Sequence, residues 1–146
     1  MKILSALFVL TISATMVVAQ SVPQAVQTAF SNKFPYAQAE WEEDNGLFEA
    51  KFEDTAGSAS VLFSSDGSWV ATERRLYDDK ITEIALDQVK KNYGTYSIVE
   101  AEKVESATEG SYTKMELNGS EGTVELKVFP NGKAIAEKVS TDDEND

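Results

Sequence analysis

The sequence predicts an α+β fold: a tandem repeat of one helix followed by four antiparallel strands, with the helices packed on one face of a shared antiparallel sheet. Three observations carry this reading. The glycine turns Gly46, Gly57 and Gly67 recur as Gly110, Gly122 and Gly132, at offsets of 64, 65 and 65 residues, and a fixed offset is the mark of a repeated unit. The apolar stripe Val22, Val26, Phe30 and Phe34 meets Ile81, Ala85, Val89 and Tyr93 at an offset of 59, so the second copy gains about five residues between its helix and its first glycine turn. After each stripe the apolar residues alternate, Phe48, Ala50, Phe52 and then Thr113, Met115, Leu117, which is the pattern of a half-buried strand.

The elements follow in order. Lys2, the apolar run Ile3 to Val18 and the small-residue pattern Val17-Val18-Ala19 predict a secretory signal peptide over residues 1–19. The run is barely long enough to span a bilayer, and no second apolar segment follows it, so no membrane insertion is expected after cleavage. The mature chain is expected to be exported, periplasmic or secreted, with one tandem-repeat domain over 20–139 (copies at about 22–75 and 81–139) and an acidic tail over 140–146.

In the first copy Val22, Ala25, Val26, Ala29, Phe30 and Phe34 have helical spacing, with Pro23 in the first turn and Pro35 as the stop. In the second, Ile81, Ile84, Ala85, Val89 and Tyr93 repeat the stripe, with Thr82 as N-cap and Gly94 as the stop. Strands are predicted over 37–43, 47–53, 58–64 and 68–75, then 97–105, 111–117, 123–129 and 133–139. Asn45-Gly46, Asp66-Gly67 and Asn131-Gly132 read as two-residue type I′ hairpin turns.

That register pairs Phe63 with Val70 and Val61 with Thr72 toward the helices, and Val128 with Ile135 likewise. Leu62, Ser64, Trp69 and Ala71 then point to the far face, as do Lys127, Phe129, Ala134 and Ala136. A partner-binding surface is expected there: Trp69 as anchor, with Leu62, Tyr112, Phe129 and Leu47, interleaved with Lys51, Lys114, Glu49 and Glu116. Cover by the tail, a loop or a second subunit is the alternative, as is plain cross-strand reinforcement.

Composition narrows the chemistry. The chain has neither Cys nor His, so a Ser-His-Asp triad, a thiol nucleophile, a disulfide and a His-ligated metal or haem are all excluded. With no staple, a copy of about 55 to 60 residues is marginal alone, and the two are expected to share one core. Residues 20–146 carry 25 acidic against 12 basic residues, a net charge of −13, which repels nucleic acid and anionic lipid and favours a basic or cation-bearing partner, or serves solubility alone.

Ser111-Tyr112-Thr113-Lys114 matches an S-x-x-K pattern, but in a strand positions three apart face opposite ways. Glu40, Glu42, Glu43, Asp44 and Asn45 cluster before a turn and offer hard oxygen ligands for weak Ca²⁺ binding, without the ordered calcium-loop spacing. No catalytic residue, resident metal site or cofactor is predicted.

Val22 to Tyr36, the Trp41-Glu42 pair, the run Gly46 to Phe52 (GLFEAKF) and the run Phe63 to Trp69 (FSSDGSW) together resemble the PepSY-like family of exported bacterial proteins, related in fold to the beta-lactamase inhibitor protein. The resemblance covers essentially the whole mature chain. It implies a helix-backed antiparallel sheet of up to eight strands and a non-enzymatic inhibitor or sensor that binds a protein or peptide partner.

Overall fold

The computed structural model describes residues 21–139, so the predicted leader and acidic tail lie outside the described residues. The chain runs α1 (Gln24–Lys33), β1 (Glu40–Asp44), β2 (Leu47–Asp54), β3 (Gly57–Ser64) and β4 (Trp69–Arg75). A short 3-10 turn at Asp78–Lys80 leads into α2 (Glu83–Asn92), β5 (Ser97–Ser106), β6 (Gly110–Gly119), β7 (Gly122–Val128) and β8 (Ala134–Val139). All eight strands form one antiparallel sheet in chain order. The extra residues of the second half extend β5, which has 10 residues where β1 has 5.

Local chemistry sets the helix ends. Pro23, with φ of −56°, occupies the N-cap of α1; having no N–H to leave unsatisfied, it suits that place. Thr82 caps α2, its hydroxyl accepting from the Ala85 N–H at 3.3 Å, while Glu83 in the first turn and Lys90 and Lys91 in the last complement the helix dipole.

Directly opposed residues of an antiparallel pair share a face, so the register can be followed across the sheet. Ala50 opposes Val61, Val61 opposes Thr72, Thr72 opposes Glu105, and Glu105 opposes Ser111. On this same face Met115 opposes Ala101 on one side and Leu126 on the other. Val26 and Phe30 of α1 are buried with Phe48, Ala50, Phe52, Ala59, Val61 and Phe63, and the Phe30 ring packs on Trp41 and Phe52 at 5.3 and 5.5 Å. Ile81, Ala85 and Val89 are buried with Ala101, Met115, Leu117, Val124, Leu126 and Val128.

The apolar residues thus form two clusters, which corrects the expectation of one shared core. The physical reason lies in the seam strands. At the β4–β5 pairing the helix-side positions are Thr72 and Arg74 opposite Glu105 and Lys103, none of which can join an apolar cluster. Arg74 is instead held by a bidentate pair with Asp54, both oxygens at 2.8 Å.

The turns differ from expectation in an instructive way. At Asn45-Gly46 both residues have positive φ, 52° and 80°, as a type I′ turn requires. At Asp66-Gly67 and Asn131-Gly132 only the glycine does, at 85° and 83°. There the Gly67 N–H donates to Ser64 O and the Ser64 N–H to Ser68 O, and Gly132, Phe129 and Lys133 repeat both bonds. These are type I turns closed by a glycine bulge, which insert one residue into the register.

Two consequences correct the sequence reading. Phe63 opposes Trp69 rather than Val70, so Trp69 lies on the helix face against the α1 cluster; a bulge at Val70 then restores the predicted pairing of Val61 with Thr72. In β8 nothing restores it. Val128 opposes Ala134 and Lys127 opposes Ile135, which puts Ala134 and Ala136 on the helix face and Ile135 on the far face, the reverse of the expectation.

Gly67 also touches α1: a Cβ there would sit 2.7 Å from the Ala25 carbonyl oxygen, whereas one at Gly132 would meet nothing within 4 Å. Both positions carry the left-handed backbone cost of about 1–2 kcal/mol. Gly67→Ala adds a clash with the helix backbone, so urea denaturation should show it to be the more destabilising of the two by at least about 1 kcal/mol; equal costs would mean that α1 does not bear on this turn.

Candidate binding face

On the face opposite the helices the register runs Glu42, Glu49, Leu62, Ala71 in one row and Lys51, Ser60, Glu73, Val104, Tyr112 in the next. A third row carries Glu102, Lys114, Lys127 and Ile135. Among the described residues no helix lies over these rows. Of the predicted site residues, Leu47, Leu62, Lys51, Lys114, Tyr112 and Phe129 are all on this face.

Trp69 is not. Its ring packs with the α1 cluster, its indole N–H donates to Thr72 Oγ1 at 2.9 Å, and the Lys33 ammonium of α1 sits 4.9 Å from its ring centroid. The expected display of exposed aromatics is corrected as well. Tyr112 is only 8% exposed, packed by the Phe129 ring at 5.4 Å and capped by the Lys127 ammonium at 5.3 Å from its ring centroid. Leu47, Leu62 and Phe129 are half-buried. Long charged side chains cover apolar neighbours with their stems while their heads stay wet, which is how a sheet face with no helix over it still hides its aromatic groups.

The visible chemistry is therefore ionic. Lys114, reaching from β6, donates to Glu102 Oε2 of β5 at 2.7 Å and to Glu73 Oε2 of β4 at 3.0 Å. Burial pushes the Glu73 carboxyl above its ordinary range; Lys114 opposes that shift, and Glu102 and Glu49 add to it. Desolvation works against the Lys114 charge, but the two carboxylates outweigh it and hold the ammonium charged. Nearby, Lys51 pairs with Glu42 at 2.6 Å.

Between these groups lies a depression of about 430 Å³, open to solvent, whose lining includes Glu40, Glu49, Glu53, Glu73, Glu100 and Glu102 against two cations, Lys51 and Arg75. The glutamates come from β1, β2, β4 and β5, so both halves of the chain build it. Sequence reasoning singled out none of Glu53, Glu73, Glu100 and Glu102 for this face, and the available signal was strand parity combined with the net charge of −13. The acidic run Glu40 to Asn45 does not close on a cation: alternation turns Glu43 away from Glu42, and among the described residues no group of three carboxylates is placed to ligate a metal. Ser111 and Lys114 face opposite ways, Ser111 opposing Glu105 on the helix side and Lys114 opposing Glu102 on the far side.

Removing Lys114 leaves Glu73 and Glu102 facing each other without their shared cation. Lys114→Met should cost about 1–3 kcal/mol near neutral pH, below the range for a fully buried pair because these side chains are 18–24% exposed. The sign of its pH dependence follows from the raised Glu73 pKa. A carboxyl whose folded pKa exceeds its unfolded value stabilises fully below the unfolded value and loses that contribution as pH rises through the folded one. The cost should therefore shrink when denaturation is repeated near about pH 4.5, and a pH-independent cost would mean that the carboxylates are already relaxed into solvent.

The sequence profile of the beta-lactamase-inhibitor-like, PepSY-like family matches the chain over residues 10–55 and 46–136. A DUF2874 family protein from Bacteroides ovatus superposes with a TM-score of 0.75 at 22% identity, over 85% of this chain and 92% of its own. A BLIP-like protein from Bacteroides fragilis does so at 0.74 and 18%, over 86% and 92%. A protein from Bacteroides eggerthii described as periplasmic reaches 0.75 at 15%, over 85% and 94%. At these identities the likeness is one of fold. No curated protein matches the chain. Among the described residues no helix is long and apolar enough to cross a membrane. Matched by the family profile over most of its length, the chain belongs to the beta-lactamase-inhibitor-like, PepSY-like family.

Proposed function

We propose that this chain is an exported, non-enzymatic binding module, built as two copies of a helix-plus-four-strand unit, that engages a basic segment of a protein partner through the sheet face opposite its helices. The observation that carries the reading is the depression at the middle of that face, with six glutamates against Lys51 and Arg75. A cationic loop or extended strand would meet complementary charge there, which raises encounter rate and selects against acidic competitors. Leu47 and Leu62 on one side of the face and Phe129 on the other supply half-buried apolar surface for the partner to cover.

Export is supported by the sequence of residues 1–19 and by the periplasmic description of the Bacteroides eggerthii neighbour. The BLIP-like description of the Bacteroides fragilis neighbour favours a protein partner over a small molecule. Glu73 has the raised carboxyl pKa that a general acid needs, but its Oε2 accepts from Lys114 and the depression stands open to water. Binding is accordingly the better-supported reading.

A basic peptide will adhere weakly to any strongly acidic protein, so the test must separate site from net charge. Oligo-arginine titrated calorimetrically should bind with a dissociation constant below about 1 mM at low salt. The double reversal Glu53→Lys/Glu100→Lys, at the depression, should weaken it at least about tenfold, while Glu83→Lys/Glu121→Lys, with the same net charge, should change it less than about twofold. Equal losses in the two variants would reduce the effect to overall charge and end the assignment to this face.

A further inference from the structure

Among the described residues the eight-strand meander ends in two unpaired edges, β1 and β8, and the two are unlike. β1 has five residues, of which Glu40, Glu42, Glu43 and Asp44 are acidic, so a second strand of the same kind laid against it would stack like charges. β8 carries Ala134, Ile135 and Ala136 followed by one Glu and one Lys, and among the described residues no strand pairs with its outer side. Proline and a bulge are absent along it, and Glu137 and Lys138, of opposite sign, are its only charged side chains.

The direction of its backbone groups can be worked out. The Phe129 N–H donates to the Lys133 carbonyl at 2.9 Å, which makes Phe129 and Lys133 a hydrogen-bonded pair. Antiparallel pairs alternate between bonded and non-bonded. Along the observed register Ile135 and Glu137 therefore bond to β7, and Ala134, Ala136 and Lys138 turn their N–H and C=O groups outward. The side chains of these three outward residues are exposed.

We propose that β8 is a pairing edge for a second copy of this chain, antiparallel about a two-fold axis through Ala136. In that register Ala136 faces Ala136 and Ala134 faces Lys138, so each outward N–H and C=O of the three residues finds a partner. Ile135 meets Glu137 of the second copy, and no like charges are opposed. Shifting the centre to Glu137 sets glutamate against glutamate, and shifting it to Ile135 leaves Lys138 beyond the end of the second strand. The axis stands perpendicular to the sheet and keeps both helix pairs on one side, so the two acidic depressions lie on one continuous face. A single strand edge buries much less than the about 1,200–2,000 Å² of a stable interface, which makes the dimer weak, with a dissociation constant on the order of 10⁻⁵ to 10⁻³ M.

Sedimentation equilibrium of the chain from Gln20 onward, across about 10 μM to 1 mM, should show a monomer–dimer equilibrium. Ala136→Pro should weaken it at least about tenfold, because its missing N–H faces outward and the pairing with β7 is spared. Should Ala136→Pro fail to melt cooperatively, Ala134→Lys serves in its place: it sets a lysine against Lys138 of the second copy on an already exposed position and should weaken the dimer likewise. A chain that stays monomeric throughout, a dimer indifferent to both substitutions, or growth beyond dimers by joining β8 to β1 would each overturn the proposal.

Discussion

The backbone pairing of β4 with β5 is the connection on which the molecule depends. Each apolar cluster is gathered around its own helix, and the strands where the clusters would merge carry Thr72, Arg74, Lys103 and Glu105 on the helix side. The other side of the same seam holds Glu73 and Glu102, bridged by Lys114. The helix side of the junction is thus polar, and its other side sets Glu73 and Glu102 beside Ala71 and the buried Val104. A single four-strand unit with one helix lies near the lower limit for independent stability, and cutting at the seam would expose two new strand edges. Cooperation between the halves travels through the ladder and the Lys114 bridge rather than through a common core.

Placing ions there has a physical cost, since burial already pushes the Glu73 carboxyl up and an apolar trio of similar volume would pack with no desolvation penalty. What the ions provide is geometry. Lys114 spans three strands and fixes the Glu73 and Glu102 carboxylates beside the depression to which both contribute. A chain of net charge −13 over residues 20–146 would otherwise leave these carboxylates free to splay apart.

Much of the architecture was legible because period and turn chemistry are local. All eight strands and both helices fall where alternation, the Pro35 stop and the Thr82 cap put them, within about three residues. The faces near the turns were not legible from the same cues, because one Asx-Gly dipeptide serves two turn types. Asp66 Oδ1 accepts from the Ser68 N–H at 2.9 Å and Asn131 Oδ1 from the Lys133 N–H at 3.0 Å, an Asx turn that favours a type I loop with its bulge; at Asn45 the side chain bonds Asp44 instead. The second half of β4 recovers its register because the bulged Val70 carbonyl accepts from the Ala107 N–H beyond β5. Among the described residues β8 has no such neighbour, and the shift persists to its end. The burial of Tyr112 was equally hidden, since it depends on Lys127 and Phe129, which lie 15 and 17 positions away in sequence.

The two proposed contacts of this chain oppose each other electrostatically, and that opposition distinguishes them. A basic partner in the depression is drawn by unscreened charge, so its affinity should fall steeply as salt shortens the Debye length from about 10 Å at 0.1 M to about 3 Å at 1 M. Pairing of β8 with β8 brings together two acidic bodies through neutral backbone groups, so screening removes only repulsion and the dimer should tighten over the same range. Sedimentation and calorimetry on one sample across a salt series would then move in opposite directions. Parallel weakening would mean that the dimer, like the basic partner, is held by charge rather than by the outward backbone groups of Ala134, Ala136 and Lys138.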